Sequence, residues 1–165
     1  MEDLIVGRTL IYGDDINTDV ISPPQYMELS IEDAAPFAMG GVDQNFSAKV
    51  KSNSILVVGS NFGSGSSRET APLSLKYLGV QVIIARSFAR IFYRNAINVG
   101  LLIAECEQVD HIETNDQLTV DILNGNITNI TKNESYRCGC LPKHILDICL
   151  SGGLVCMLQQ RFGRA

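Results

Sequence analysis

The apolar residues of this chain fall into short runs separated by turn formers. Residues 54–59 read Ser-Ile-Leu-Val-Val-Gly, a run whose unbroken apolar, β-branched character predicts a strand buried on both faces. Residues 81–85 and 101–104 predict two more such strands. Between them, residues 67–77 and 87–98 predict helices, each closed by a glycine, Gly79 and Gly100. Alternation of strand and helix implies a parallel sheet layered with helices. Upstream, residues 4–12 predict an opening extended segment, and residues 13–19 (Gly-Asp-Asp-Ile-Asn-Thr-Asp) are dense in turn formers. Pro23-Pro24 breaks any regular element, and Ser30, followed by acids, predicts a helix N-cap, with the helix running to about Met39.

Beyond residue 104 the pattern changes. Residues 117–122, 126–131 and 135–138 predict short strands with a hairpin turn at Asn124-Gly125. Pro142 opens a helix that ends near Gly152-Gly153. The expected fold class is α/β: a partly parallel central sheet flanked by helices, with an appended antiparallel part. A length of 165 residues fits one domain spanning residues 1–165.

Composition narrows the function classes. Hydrophobic residues at 45% and charged residues at 19% exclude a disordered chain. The apolar runs are too short to span a bilayer, so no membrane role is expected. The start, Met1-Glu2-Asp3-Leu4, is acidic where a signal peptide is basic, which predicts a cytoplasmic protein. A net charge of −5 argues against a nucleic-acid partner. Arg86, Arg90 and Arg94 recur every four residues, which places them on one helical face, either solvated or walling an anionic substrate or partner subunit. The five cysteines (Cys106, Cys138, Cys140, Cys149 and Cys156) are odd in number, and Cys138-Gly139-Cys140 lacks the C-x-x-C spacing. Free, buried, inert thiols and no metal held by this chain are therefore expected.

The candidate chemistry lies between the first buried strand and the helix after it. Gly63, Ser64 and Gly65 form an anion-binding loop: the glycines permit tight turns and close backbone approach, and a helix N-terminus follows. Arg68 is placed in the first turn, where a cation opposes the helix dipole and calls for a carboxylate partner. As a plain structural turn, Ser66 or Ser67 caps the helix and Glu69 completes a capping box with Ser66. The two readings are compatible. A nucleotide site is disfavoured, since Arg68 replaces the third glycine of G-x-G-x-x-G and no Gly-Lys-Ser/Thr follows.

Residues 61–72 (Asn-Phe-Gly-Ser-Gly-Ser-Ser-Arg-Glu-Thr-Ala-Pro) closely resemble the N-F-G-x-G-S-S-R-E-x-A-P signature of isopropylmalate isomerase small subunits, in the aconitase group of hydro-lyases. Residues 87–100 resemble that family's second signature, residues 13–21 a third (with Asn17 where Asp is usual), and residues 150–154 its closing segment. The resemblance implies an aconitase swivel-type β/β/α domain. It implies Ser66 as the base that removes the proton beside a substrate carboxylate, with Ser67 and Arg68 binding that carboxylate and Thr18 and Asp19 building the site wall. It further implies a separate large subunit whose cysteines hold a [4Fe–4S] cluster. This chain would then bind no cofactor itself, work on a small dicarboxylate, and be inactive alone; self-association of the isolated chain is left open.

In that family, a short segment after the first motif selects the substrate side chain. Here it reads Tyr26-Met27-Glu28-Leu29. Apolar residues suit an isopropyl group and an arginine suits an extra carboxylate; Glu28 matches neither pattern and would repel an anion. The leading expectation is the dehydration and rehydration of 3-isopropylmalate in leucine biosynthesis. The alternatives are 2,3-dimethylmalate or another alkylmalate, with homoaconitate disfavoured at Glu28. Two further classes compete: a non-catalytic anion-binding module and a scaffold subunit that only docks a partner.

Overall fold

The computed structural model describes residues 4–163. Met1, Glu2 and Asp3, three of the four residues of the acidic start, lie outside the described residues. A seven-stranded mixed sheet runs in the order β4-β3-β2-β1-β5-β6-β7. Its parallel half comprises β1 (Leu4–Ile11), β2 (Ile55–Val58), β3 (Val82–Ala85) and β4 (Leu102–Glu105). The antiparallel extension is β5 (Gln117–Asp121), β6 (Asn126–Asn129) and β7 (Glu134–Arg137). β1 joins the halves: Leu10 pairs with Leu56 in parallel, and Val6 with Thr119 in antiparallel register.

Every residue of β2 and β3 is buried. Their alternating side chains feed two cores. Leu56, Val58, Ile83 and Ala85 face a layer that contains Phe46, Leu75, Phe92 and Ala96 from the helices. Ile55, Val57, Val82 and Ile84 face the opposite side, where they share a core with Leu118, Val120, Ile127 and Tyr136. The antiparallel extension therefore covers the second face of the parallel half, giving the β/β/α layering.

Seven α-helices complete the described chain: α1 (Thr18–Ile21), α2 (Ile31–Ala34), α3 (Phe46–Lys49), α4 (Thr70–Leu78), α5 (Arg90–Val99), α6 (Lys143–Leu150) and α7 (Leu154–Phe162). Ser30 caps α2 as expected, its hydroxyl accepting from Asp33 N at 3.3 Å. That helix stops well before Met39: Pro36 opens a 3-10 turn (Ala35–Phe37), and Met39 takes φ 62°. Gly79 and Gly100 close α4 and α5 in the left-handed region, as their sequence positions imply. Gly100 also has a packing reason, since a Cβ there would lie 2.5 Å from the Gly152 carbonyl carbon. The Asn124-Gly125 hairpin is present, with Gly125 at φ 71° and Asn124 bound to the Asp121 carboxylate. α1, α3 and α7 go beyond the sequence reading. Among the described residues, no helix is long and apolar enough to cross a membrane.

Candidate functional site

Three loops leave the same edge of the parallel half, after β1, β2 and β3. Their backbones are zipped together. Gly63 N donates to Ile16 O and Thr18 N to Ser64 O, both at 2.8 Å, joining the second loop to the first. Phe62 N donates to Ser87 O and Ala89 N to Phe62 O, joining it to the third. Asp14 accepts from Ser60 N at 2.7 Å, and Asn61 N donates to Ser87 Oγ at 2.8 Å. The second loop is thus held from both sides at its root.

Its conformation depends on residues that tolerate positive φ. Asn61 (59°), Gly63 (83°) and Gly65 (100°) are all left-handed. Gly63 is doubly constrained, because a Cβ there would sit 2.3 Å from the Phe92 side chain. The result is a crest with Gly65, Ser66 and Ser67 exposed at its top. From Gly65 through Thr70, the backbone N–H groups donate to no acceptor among the described residues. Such a run of unpaired donors ahead of a helix is what an anion needs.

The capping arrangement differs from the sequence expectation. α4 begins at Thr70, not Ser67; Glu69 holds the cap position with φ −63° and makes no side-chain cap bond. Neither Ser66 nor Ser67 is the cap, and no capping box forms. Arg68 and Thr70 are instead tied to the first loop, which draws residues 66–68 off the helical path. Ser22 Oγ lies 3.1 Å from Thr70 Oγ1, and Pro72 falls in the first turn, where its missing N–H costs nothing. Arg68 accordingly lies ahead of the helix. Its guanidinium, 16% exposed, pairs with Asp19 Oδ1 at 2.8 Å and donates to Ser22 O at 2.9 Å. The carboxylate that the sequence reading sought for Arg68 is thus already internal. One N–H group is donated to Ser22 O and the guanidinium is ion-paired with Asp19, which leaves further N–H groups of the fork without a hydrogen-bond partner among the described residues.

Thr18 and Asp19 join this constellation, placed by α1, whose N-cap Asn17 accepts from Val20 N at 3.0 Å. Thr18 is 2% exposed, and its Oγ1 is buried without a hydrogen-bond partner. It lies 3.2 Å from where a Cβ on Gly65 would stand, so the hydroxyl sits directly beneath the crest. A buried hydroxyl left unpaired carries a desolvation cost. In the sequence Asn17 stood out only as a departure from the usual Asp, not as a cap, and Ser22 not at all. The signal for Asn17 was legible, since Asn before Thr-Asp is an N-cap pattern; that for Ser22 was not, because its ties are tertiary.

Residues 26–29, the expected specificity segment, follow Ser22 along the chain. Tyr26 ends a 3-10 turn (Pro24–Tyr26) and stacks on Phe37 with ring centroids 3.9 Å apart. Met27, Glu28 and Leu29 are exposed, with Met27 at 53% and Leu29 at 46%.

The three arginines do not form one helical face. Arg86 precedes α5 because its N–H extends the sheet ladder to Gly59 O. Its side chain pairs with Asp110 at 2.6 Å and reaches Asp14 at 3.9 Å. Arg90 and Arg94 lie on the exposed side of α5 with no ion pair among the described residues. The thiols also divide: Cys106, Cys138 and Cys149 are buried, whereas Cys140 and Cys156 are exposed. Burial pushes the Cys138 and Cys149 thiols up to about 11. Among the described residues, no three His, Cys, Asp or Glu side chains converge as a ligand set.

Comparison with known proteins agrees with this geometry. The family model for the aconitase C-terminal domain matches residues 14–109, the stretch that contains all three loops. The 3-isopropylmalate dehydratase small subunit of Methanosarcina acetivorans is 47% identical over 150 residues, covering 90% of this chain and 93% of that protein. The chain belongs to the family of 3-isopropylmalate dehydratase small subunits. The subunit from Halothermothrix orenii is 49% identical over 151 residues, covering 90% of this chain and 92% of the relative. The crystal structure of 3-isopropylmalate dehydratase from Methanocaldococcus jannaschii superposes with a TM-score of 0.90 at 42% identity, covering 96% of this chain and 95% of that one. The expected swivel-type fold is therefore the observed one.

Proposed function

We propose that this chain is the small subunit of a hydro-lyase that isomerises 3-isopropylmalate by dehydration and rehydration, in leucine biosynthesis. The observation that carries the reading is the crest: Ser66 stands exposed above a run of unpaired N–H groups, beside Arg68 and the orphaned Thr18 hydroxyl. In this reading Ser66 Oγ takes the proton from the carbon beside a substrate carboxylate. A serine hydroxyl is too weak a base unaided, so the developing alkoxide must be stabilised by fixed positive potential. The free N–H groups and the Arg68 guanidinium supply it. Ser67 and the unengaged N–H groups of Arg68 bind the carboxylate. Asp19 fixes the orientation of Arg68, so little reorganisation is needed when substrate arrives.

The exposed crest is incomplete by itself, which supports a heteromeric site closed by a large subunit. A [4Fe–4S] cluster on that subunit would act as the Lewis acid for the departing hydroxyl. In this reading the chain is a single swivel domain working in the cytoplasm; among the described residues, no helix is long and apolar enough to cross a membrane.

The exposed Met27 and Leu29 support an alkyl side chain on the substrate. Glu28 is also exposed, free to turn to solvent, and disfavours the extra carboxylate of homoaconitate. The test is anaerobic co-purification with the cognate large subunit, then assay on a panel of malates. Turnover of 3-isopropylmalate above methyl- and dimethyl-substituted malates is expected. Turnover of only homoaconitate or citrate would overturn the reading, and tight malate binding by the isolated chain would favour an anion-binding module.

A further inference from the structure

The segment that carries Met27 and Leu29 has little of its own to hold it. Its backbone hydrogen bonds are all local: Tyr26 N to Pro23 O, Met27 N to Pro24 O and Leu29 N to Tyr26 O. Its root is tied through Ser22 O to Arg68. Further along, the tertiary anchor is the Tyr26 ring, which lies on Phe37 with centroids 3.9 Å apart and planes 10° from parallel.

Phe37 is well placed to be the fixed member of this pair. Its neighbours Ala35, Ala38 and Met39 are buried at 0%, 2% and 0% exposure, and Gly40 N donates to Phe37 O at 3.1 Å. The turn that bears it is therefore embedded in the core. The ring itself is 44% exposed, so it does not serve the core. Beside the stack is a cavity of about 410 Å³ lined by Pro23, Tyr26, Pro36, Phe37, Gly40 and Gly41, among others. This space would let the Tyr26 ring shift if Phe37 were removed.

We propose that Phe37 is a positioning residue for substrate selectivity: by stacking on Tyr26 it fixes the direction in which Met27 and Leu29 meet the variable substituent of the malate. The inference rests on reading Tyr26 to Leu29 as the selecting segment. Loss of the stack loosens uniform binding of the alkyl group and leaves the proton transfer at Ser66 intact, so the effect belongs in KM.

The experiment uses the complex reconstituted with the large subunit, comparing wild type, Phe37→Ala, Phe37→Leu and Phe37→Tyr on 3-isopropylmalate and on malates bearing a methyl or an acidic substituent. In Phe37→Ala and Phe37→Leu, KM for 3-isopropylmalate is expected to rise about tenfold with kcat within about twofold, and the preference over the methyl-substituted substrate to shrink by a similar factor. Phe37→Tyr, which keeps the stack, restores both. Unchanged KM and preference in Phe37→Leu, or a fall in kcat alone, overturns the proposal; so does equal loss in Phe37→Tyr. Should Phe37→Ala misfold by near-ultraviolet circular dichroism, the Leu and Tyr variants decide. A wild-type complex inert on every branched malate sinks the functional reading and this inference together. An active wild type indistinguishable from the Phe37 variants sinks only the inference.

Discussion

The two halves of the sheet bury their residues differently. β2 and β3 are buried at every position, whereas β5 and β6 alternate, with only Leu118, Val120, Ile127 and Asn129 fully enclosed. A strand covered on both faces, as β2 and β3 are, can present function only at its ends, and the parallel half aligns those ends with that of β1 on one edge. There the loops after β1, β2 and β3 converge, and the candidate site is built from the first two. The antiparallel extension contributes a covering layer and no candidate site residue. Its distinctive polar feature is internal: Asn129 Nδ2 donates to Asp116 Oδ2 at 2.8 Å and to the Tyr136 hydroxyl at 3.3 Å, and that hydroxyl donates to Glu134 Oε1 at 2.7 Å. One half carries the candidate site; the other carries register and support.

Paired glycine substitutions break this comparison most sharply. Gly63→Ala places a Cβ 2.3 Å from Phe92 at φ 83°, and Gly125→Ala places one 2.6 Å from Cys138 O at φ 71°. Each is expected to cost about 1–3 kcal/mol of stability from strain and overpacking. Only Gly63→Ala should also lower turnover of the reconstituted complex, by about a hundredfold, because it displaces the crest. Denaturant melts together with steady-state rates check both. Equal activity in the two variants would remove the functional contrast between the halves.

Asn129→Ala sharpens the same contrast from the other side. Asn129 is fully buried, and its loss leaves Asp116 and Tyr136 short of a partner. A loss of about 1–3 kcal/mol is expected by chemical denaturation, with KM and kcat of the assembled enzyme unchanged. A change in kcat would show that the extension reaches the chemistry.

The smallest effect concerns thiol reactivity. Cys140 and Cys156 are exposed, while burial pushes Cys138 and Cys149 up to about 11 and raises Cys106 as well. Near about pH 8, alkylation followed by mass spectrometry should label Cys140 and Cys156 first, and the other three only on unfolding. Early labelling of Cys138 would mean that the extension opens readily from the sheet.

Much of the fold was legible because burial on both faces leaves unbroken β-branched runs, as at residues 55–58 and 82–85. The hairpin was legible from Asn124-Gly125. Helix starts were less so: residues 66–69 look like a cap and a capping box, yet tertiary ties from Arg68 to Asp19 and Ser22 override that local preference. α7 was missed because α6 ends at two glycines with positive φ, and Leu154 onward has little buried surface to impose a pattern. The site's loop was legible as glycines, serines and an arginine. The orphaned Thr18 hydroxyl and the Phe37 stack were not, since both depend on contacts between distant segments.

The assignment of Ser66 as the base is tested most directly by the turnover number of Ser66→Ala in the complex reconstituted with the large subunit. A fall of at least about 10²–10⁴-fold is expected, with subunit affinity unchanged, since the side chain is exposed and supports no packing. A turnover number within about twofold of wild type, in a complex of unchanged stoichiometry, would contradict it.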